Sequence, residues 1–300
     1  MMRDLEVSLA NALSPLDETN ENIVVDQSIG DVLVRARKLT LKQVADVSTY
    51  QHQNNLRFGD AAVALGLINN DDVLWALSQQ FHYPYALDAG QRNRAELIVA
   101  SDPFSAQAEA IRDLRSQLLM GVLGADQPRR ALAIVSPDKG DGKTFFAANM
   151  AVALSQLGSR TLLVDADMRT PRQHQVFGVD SSSGLSGLLS GRTDTAVTRT
   201  ADLPSLFVLP VGTVPPNPLE LVQGPTFRLL MQEFLKKFDH VLVYTPAAVH
   251  GADVRVIAAT CGAVLAIGRQ GKTSMKSMAA LIESLSKGPS QLAGVVMNQH

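Results

Sequence analysis

Apolar residues in the last two thirds of the chain form short runs, separated by longer segments whose apolar positions have a helical spacing. Each run is five or six residues long and rich in Val, Leu, Ile or Ala, which is typical of strands that are buried on both faces. Because these runs alternate with helical segments, the pattern predicts an α/β domain with a doubly wound, mostly parallel sheet. The predicted strands are residues 131–136, 161–165, 206–210, 240–244, 263–268 and 293–298.

A different pattern comes before this domain, where a 24-residue segment occurs twice. Residues 28–51 align without gaps with residues 57–80. Each copy predicts a short helix, a turn and a second helix, which is capped by Thr40 in the first copy and by Asn69 or Asn70 in the second. Since two such units can bury their apolar faces against each other, we predict a small helical domain. The paired positions include Gly30 with Gly59 and Val44 with Val73.

These patterns divide the chain into four parts. Residues 1–22 are polar with weak periodicity, so we expect a disordered tail. The helical repeat domain is placed at residues 23–85, and residues 86–103 lack a clear period and are predicted to be a linker. The α/β domain is placed at residues 104–300 and begins with a predicted helix, SAQAEAIRDLRSQLLMGVL.

Composition narrows the function classes. Hydrophobic residues make up 46% of the chain and charged residues 19%, as in globular proteins. The net charge of −2 gives no general attraction to nucleic acid, so no nucleic-acid partner is expected. The single cysteine, Cys261, is expected to be an inert core thiol in a reducing cytosol. The longest apolar run is too short to span a bilayer, and any membrane role is expected to come through a partner.

Candidate chemistry begins directly after the first predicted strand, in SPDKGDGKT (136–144). Two glycines let the backbone curl so that its N–H groups point inward, the lysine offers a cation to terminal phosphates, and the threonine offers a hydroxyl to Mg²⁺. An incidental glycine-rich turn is the alternative, but the strand–loop–helix context and the later motifs favour a phosphate loop. The predicted nucleotide-binding residues are Gly140, Asp141, Gly142, Lys143, Thr144 and Phe145.

The second predicted strand ends at Asp165, and Asp167 and Arg169 follow. Carboxylates at this edge of the sheet can hold Mg²⁺ or accept a proton from an attacking hydroxyl. We therefore expect Asp165 and Asp167 to be catalytic together with Lys143, and Asp165 to share the metal with Thr144. Arg169 is expected to contact phosphate or the acceptor. Alone, two acids at a strand end indicate a helix cap or a solvated loop. Because a phosphate loop precedes them here, the catalytic interpretation is favoured.

From residue 104 onward, the motifs resemble those of the bacterial protein-tyrosine kinases of exopolysaccharide synthesis, P-loop proteins related to the MinD/ParA ATPases. The resemblance covers about 195 residues. MinD-like proteins usually carry a lysine five residues before the phosphate-loop lysine, and Asp138 at that position favours the kinase branch. The matching pieces are SPDKGDGKT, DADMRTP, GLSGLLSG (184–191), LPVGTVPPNPLELV (209–222) and VLVYTPA.

The resemblance implies ATP and Mg²⁺ as cofactors and, from related folds, an adenine contact from Asn298. It also implies a homo-oligomeric ring packed through an E-x-x-R-x-x-R helix, here Glu109, Arg112 and Arg115, although an ordinary solvated charged face is the alternative. The architecture resembles the stand-alone, EpsG-like kinases. Such kinases are cytoplasmic and associate with the membrane through a chain-length-determinant protein, whose cytoplasmic tail activates them.

The helical repeat resembles the N-terminal domain of type II secretion ATPases. One branch of that family binds cyclic di-GMP through paired 24-residue motifs that begin Arg-x-Gly. The second copy here begins with Arg57 and Gly59, whereas the first has Ser28 at the place of the arginine. Because serine cannot stack on guanine or fork onto phosphate, a protein-docking or degenerate module is favoured, with cyclic di-GMP binding as the alternative.

One departure from the family pattern bears on turnover. Strand 240–244 ends in Tyr244, where relatives use the Walker B aspartate to handle the metal, and a tyrosine is neutral at pH 7. Three functions therefore stay open: an ATP-dependent protein-tyrosine kinase, a catalytically weakened ATP-binding regulatory subunit, or a MinD/ParA-type ATPase. The acceptor tyrosine is expected on a partner or at an unusual site, because the chain has only Tyr50, Tyr83, Tyr85 and Tyr244.

Overall fold

A computed structural model of the chain describes residues 28–80, 96–192, 196–201 and 203–299. The predicted tail, most of the predicted linker, and Tyr83 and Tyr85 lie outside the described residues. Contacts divide the chain into two compact units, one covering Glu18–Gly90 and the other including Gln91–His300.

The first unit contains four helices, two from each copy of the repeat. The first helix of one copy packs on the second helix of the other copy, and the reverse pair also packs, so the copies interlock around one apolar core. Thr40 caps its helix as predicted, in a reciprocal capping box with Gln43, and Asn69 accepts a hydrogen bond from the backbone of Asp72. The helices are α1 (Ile29–Arg35), α2 (Leu41–Asn54), α3 (Phe58–Ala64) and α4 (Asn70–Gln80).

The second unit is built on a seven-stranded sheet in the order β3-β4-β2-β5-β1-β6-β7. All neighbouring strands are parallel except β3 and β4, which confirms the predicted mostly parallel sheet. The two-residue β3 was not predicted because two residues carry no detectable pattern. The strands are β1 (Ala131–Val135), β2 (Thr161–Asp165), β3 (Thr198–Arg199), β4 (Leu206–Leu209), β5 (His240–Tyr244), β6 (Gly262–Arg269) and β7 (Gln291–Asn298).

Helices cover both faces of this sheet. Ala131, Ala133 and Val135 of β1 join an apolar cluster with residues of α11, α12 and α13, and the intervening residues of β1 face the opposite side. On that side lies α7, which is buried along nearly its whole length and contacts β1, β2 and β5. The helices of this unit are α5 (Ile98–Ser101), α6 (Ala106–Met120), α7 (Lys143–Ser155), α8 (Gln173–Phe177), α9 (Leu185–Leu189), α10 (Pro218–Gln223), α11 (Pro225–Lys237), α12 (Asp253–Cys261) and α13 (Met275–Ser286).

The structure differs from the predicted linker 86–103 at the end of that segment. Residues 98–101 form the short helix α5, and Val99 and Ala100 are buried. Asn149, a buried side chain of α7, accepts a hydrogen bond from the Val99 backbone and donates one to the Glu96 carbonyl. The end of the predicted linker is therefore part of the α/β unit, and a four-residue helix is too short to show a period in sequence.

The structure also bears on the expected core cysteine and on the expected lack of a membrane-spanning segment. Cys261 is buried at the end of α12, and burial raises the pKa of its thiol, as expected for an inert core residue. In the part of the chain that the structure describes, no helix is both long and apolar enough to cross a bilayer.

Candidate active site

The loop from Ser136 to Gly142 joins β1 to α7 and lies at the carboxyl edge of the sheet, where ligands of such folds bind. Gly140 and Gly142 have φ of 83° and 98°, in the left-handed region that costs a residue with a side chain about 1 kcal/mol or more. A Cβ at Gly142 would also collide with the side-chain amide of Asn298. Both glycines are therefore required by the loop conformation.

Lys143 begins α7 and is buried beside the cavity. Its ammonium donates to the Ser136 hydroxyl at 2.8 Å, and this hydroxyl donates to the Asp138 carbonyl at 2.7 Å. Burial lowers the pKa of Lys143, while the nearby carboxylates of Asp167, Asp141 and Asp138 oppose this shift. The lysine is thus held where it can meet a phosphate group.

Asp141 has a different place from the one the motif predicts. Its side chain is completely buried inside the loop, where one oxygen accepts from the Asp138 backbone at 2.9 Å and the other from the Thr273 hydroxyl at 2.9 Å. The side chain therefore shapes the loop. The loop residues that line the cavity are Gly140, Gly142, Lys143, Thr144 and Phe145, together with Lys139.

Asp165, at the end of β2, is also completely buried. It accepts hydrogen bonds from the backbone N–H groups of Asp167, Arg172 and Gln173 at 3.0–3.1 Å. Burial raises the pKa of Asp165 to about 7. The described lining of the cavity includes Asp167 but not Asp165, so the structure gives Asp165 the position of a residue that holds the following loop in shape.

Asp167 is the carboxylate that faces the cavity at this strand end. Its two oxygens accept bonds from the Arg169 backbone and from the backbone and hydroxyl of Thr170. The Asp167 side chain also interacts with the Tyr244 hydroxyl, and this contact adds to the rise in the pKa of Tyr244. Asp167 is buried but borders the cavity, which is the position that a catalytic carboxylate requires.

Arg169 is directed to a neighbouring element. Its guanidinium pairs with the buried carboxylate of Asp253 on α12, at 2.9 Å. The arginines among the described lining residues are Arg172 and Arg269, and Arg172 pairs with Glu96 at 2.6 Å. Sequence reasoning missed Arg172 because its partner lies 76 residues earlier in the chain.

Tyr244 ends β5 opposite Asp165 in the sheet. Its hydroxyl lies 3.0 Å from the Thr144 hydroxyl, and the side chain is buried but borders the cavity. Burial raises the pKa of Tyr244, and the charges of Asp167 and Asp165 add to this rise. A neutral hydroxyl thus stands beside Thr144, at the position where the resemblance of the motifs leads us to expect a carboxylate.

The ends of β6 and β7 supply the wall beside the phosphate loop. Asn298 and Arg269 lie side by side in the sheet and both line the cavity, and the Asn298 amide is 3.5 Å from the Asp141 carbonyl. From the sequence alone, the basic stretch 269–276 predicts only a solvated helix start. The signal that points to this site is the strand end before it, because loops after parallel strands meet at one edge.

These elements enclose a cavity of about 770 Å³, within the range of small-molecule sites. The described residues contain no group of three or more His, Cys, Asp or Glu that could hold a metal on its own. Mg²⁺ typically binds through one or two protein oxygens together with substrate phosphates and waters. The Thr144 hydroxyl and the Asp167 carboxylate, which both line the cavity, therefore fit a magnesium ion that arrives with a nucleotide.

The three predicted assembly residues lie on α6. Arg112 pairs with Glu109 at 2.9 Å, whereas Arg115 donates to the Ala153 carbonyl at 2.7 Å, in the last turn of α7. Arg115 is thus tied to its own chain.

The family model of the CobQ/CobB/MinD/ParA nucleotide binding domain matches residues 132–300. Among curated relatives, tyrosine-protein kinase wzc of Salmonella typhimurium is 31% identical over 206 residues, which are 68% of this chain and 28% of that protein. This chain thus spans little more than a quarter of that relative's length. Tyrosine-protein kinase YwqD of Bacillus subtilis is 31% identical over 211 residues, covering 70% of this chain and 88% of that protein.

Among solved structures, the kinase domain of Escherichia coli tyrosine kinase ETK is similar to this chain with a TM-score of 0.64 and 26% identity. The similarity covers 67% of this chain and 79% of that chain.

Proposed function

Because the chain belongs to the CobQ/CobB/MinD/ParA nucleotide-binding domain family and, within it, to the bacterial tyrosine-protein kinases, we propose that it is an ATP-dependent protein-tyrosine kinase. The observation that carries the proposal is the convergence of Lys143, Thr144 and Asp167 on one cavity beside a phosphate loop. Phosphoryl transfer depends mainly on positioning and charge neutralisation. These residues supply a cation, a metal-binding hydroxyl and a proton acceptor.

In the proposed reaction, the phenol oxygen of an acceptor tyrosine attacks the γ-phosphorus of ATP. The bond from this phosphorus to the bridging oxygen breaks, ADP leaves, and the phenol proton passes to the Asp167 carboxylate. Lys143 neutralises charge on the terminal phosphates, and Thr144 would hold Mg²⁺ together with phosphate oxygens and waters. The metal, when bound, neutralises the charge that develops on the leaving phosphate.

Asp165 and Arg169 take supporting roles in this proposal. The three backbone bonds to Asp165 fix the loop that carries Asp167. The pair between Arg169 and Asp253 fastens the same loop to α12. Asn298 remains the proposed contact for the nucleotide on the β7 side, since it lines the cavity next to Gly142.

We extend the proposal to the setting of the reaction. The kinase acts in the cytoplasm with a membrane chain-length determinant in exopolysaccharide synthesis, and α6 packs the subunits into a ring through Glu109, Arg112 and Arg115. The support is the resemblance of the motifs. Cyclic di-GMP binding by the helical repeat is not included, because Ser28 already has a structural role as the N-cap of α1.

The test is phosphotyrosine formation with Mg·ATP and the cytoplasmic tail of the proposed membrane partner. The wild-type chain is expected to give a phosphotyrosine signal. Lys143→Met is expected to lose at least about 100-fold of that signal, since it removes a cation that neutralises transition-state charge. The matched control is Lys287→Met, an exposed lysine paired with Glu283 on the surface, which should keep the full signal.

A catalytically weakened regulatory subunit is the second candidate, and the neutral Tyr244 hydroxyl next to Thr144 favours it. It predicts nucleotide binding without phosphotyrosine, both with and without the partner tail. That outcome would contradict the kinase and support the subunit. Failure to bind any nucleotide would contradict both.

A further inference from the structure

The phosphate loop accepts hydrogen bonds from Arg269–Thr273, a five-residue segment at the junction of β6 and α13 that we call the clamp segment. Lys272 donates its ammonium to the Lys139 carbonyl at 2.5 Å. Arg269 reaches the next carbonyl, that of Gly140, at 3.4 Å. Two cations of one segment thus contact two consecutive backbone carbonyls of the loop.

The strongest link between the two segments is the bond from Thr273 to Asp141. The Thr273 hydroxyl accepts from the Arg269 backbone at 2.7 Å, so its own proton is directed to the Asp141 carboxylate at 2.9 Å. The other oxygen of Asp141 accepts from the Asp138 backbone. One completely buried carboxylate therefore joins the beginning of the phosphate loop to the clamp segment.

Lys272 lies close both to the backbone of the phosphate loop and to the charge of Lys143. A Cβ at Gly140 would lie 2.5 Å from the Lys272 ammonium, so the lysine sits directly against the loop. Lys272 is close enough to Lys143 to contribute to lowering the pKa of that lysine. Two ammonium groups near one short loop repel each other, and a bound polyphosphate relieves that repulsion.

We propose that the clamp segment holds the phosphate loop in its nucleotide-binding conformation, with Thr273 and Lys272 as positioning residues for a nucleoside di- or triphosphate. A loop that is already ordered loses less conformational entropy when it binds. This inference rests on the proposed function, because it concerns the same nucleotide site.

The test compares Thr273→Val, which removes the hydroxyl at nearly constant size, with Thr273→Ser, which keeps it. Affinity is measured by fluorescence with an N-methylanthraniloyl-ADP probe and Mg²⁺, on the full chain. The valine variant is expected to bind about tenfold more weakly, since it leaves a buried carboxylate oxygen without its donor. The serine variant should bind within about twofold of wild type, a rescue that mere loss of packing would not give.

A second comparison guards against misfolding of the valine variant. Lys272→Met removes an ammonium of the clamp segment, and Lys276→Met removes one from another exposed lysine, in the first turn of α13. Only the first is expected to weaken probe binding, by about threefold to tenfold.

The outcomes separate the clamp from the function it serves. If wild type binds the probe and Thr273→Val binds it equally well, the clamp is wrong and the nucleotide site stands. If Thr273→Val does not fold and Lys272→Met binds like Lys276→Met, the clamp is also wrong. If wild type binds no nucleotide, the proposed function and the clamp both fall.

Discussion

At the scale of single residues, the contact between Tyr244 and Thr144 bears on how strongly the site attracts Mg²⁺. The Thr144 hydroxyl faces a phenol at 3.0 Å instead of a carboxylate, and burial keeps that phenol neutral by raising its pKa. A neutral oxygen attracts the water shell of Mg²⁺ far less than an anion does. The site is therefore expected to bind nucleotide well and to turn it over slowly.

Tyr244→Asp tests this directly. The change places a third carboxylate beside Asp165 and Asp167, so the phosphotyrosine or ATPase rate at saturating Mg²⁺ is expected to rise about tenfold. In EDTA, repulsion among the three carboxylates should lower the melting temperature of the variant, and added Mg²⁺ should restore part of the loss. Tyr244→Phe is the control, because it removes the hydroxyl without adding charge. A flat rate with intact nucleotide binding would show that Tyr244 does not limit the chemistry.

Three of the predicted site residues that line the cavity share one property. Lys143, Thr144 and Asp167 belong to short motifs whose own backbone carries them to the sheet edge. Arg172 and Thr273 were missed because their partners are 76 and 132 positions away, and no local pattern encodes such a pair. Asp165 was predicted from a local motif and lies at the expected strand end, but its carboxylate accepts bonds from the following loop. A motif predicts where a residue lies and does not predict which way its side chain faces.

At the scale of elements, the helical repeat shows how a sequence repeat becomes a packing repeat. Gly30 on α1 lies against Val44 on α2, and the matching Gly59 on α3 lies against Val73 on α4. The alignment predicted the helix pairs, because the periodicity is local. It did not predict that the two copies interlock across the repeat, since either pairing buries the same faces.

The two glycines are not equivalent, and this gives a prediction. An added Cβ would lie 2.5 Å from a Val73 methyl at Gly59, but 3.1 Å from a Val44 methyl at Gly30. Gly59→Ala is therefore expected to destabilise the unit by about 1–2 kcal/mol, because overpacking outweighs the helix propensity of alanine. Gly30→Ala is expected to stay within about 0.5 kcal/mol of wild type, since the small clash and the propensity gain offset each other.

Trp75 makes the measurement specific to this unit. It is the single tryptophan of the chain and packs on the helical core, so its fluorescence during urea unfolding reports on the repeat alone. Equal urea midpoints for the two alanine variants would contradict the packing argument.

At the scale of the whole molecule, the sheet order explains why the site lies where it does. The central strands β2, β5, β1 and β6 are adjacent and parallel, so their carboxyl ends bring motifs from four distant stretches to one edge. The alternation of strands and helices predicts this edge without any knowledge of strand order. Strand order depends on which helix covers which face, and this is settled by packing among side chains far apart in sequence.

Assembly is the last property that belongs to this scale, and α6 makes it testable. Glu109 is 75% exposed, so Glu109→Lys, which reverses a charge in the first turn of α6 and breaks the surface pair with Arg112, is expected to lower the melting temperature by no more than about 2 °C. Arg115→Ala removes a cation from the C-terminal turn of α7 and should lower the melting temperature by about 2–4 °C. If α6 packs subunits into a ring, light scattering should show that both variants lose the assembled mass in the presence of nucleotide. An assembled wild type whose mass survives Glu109→Lys would place the subunit interface elsewhere, and Arg115 would then serve only to join α6 to α7.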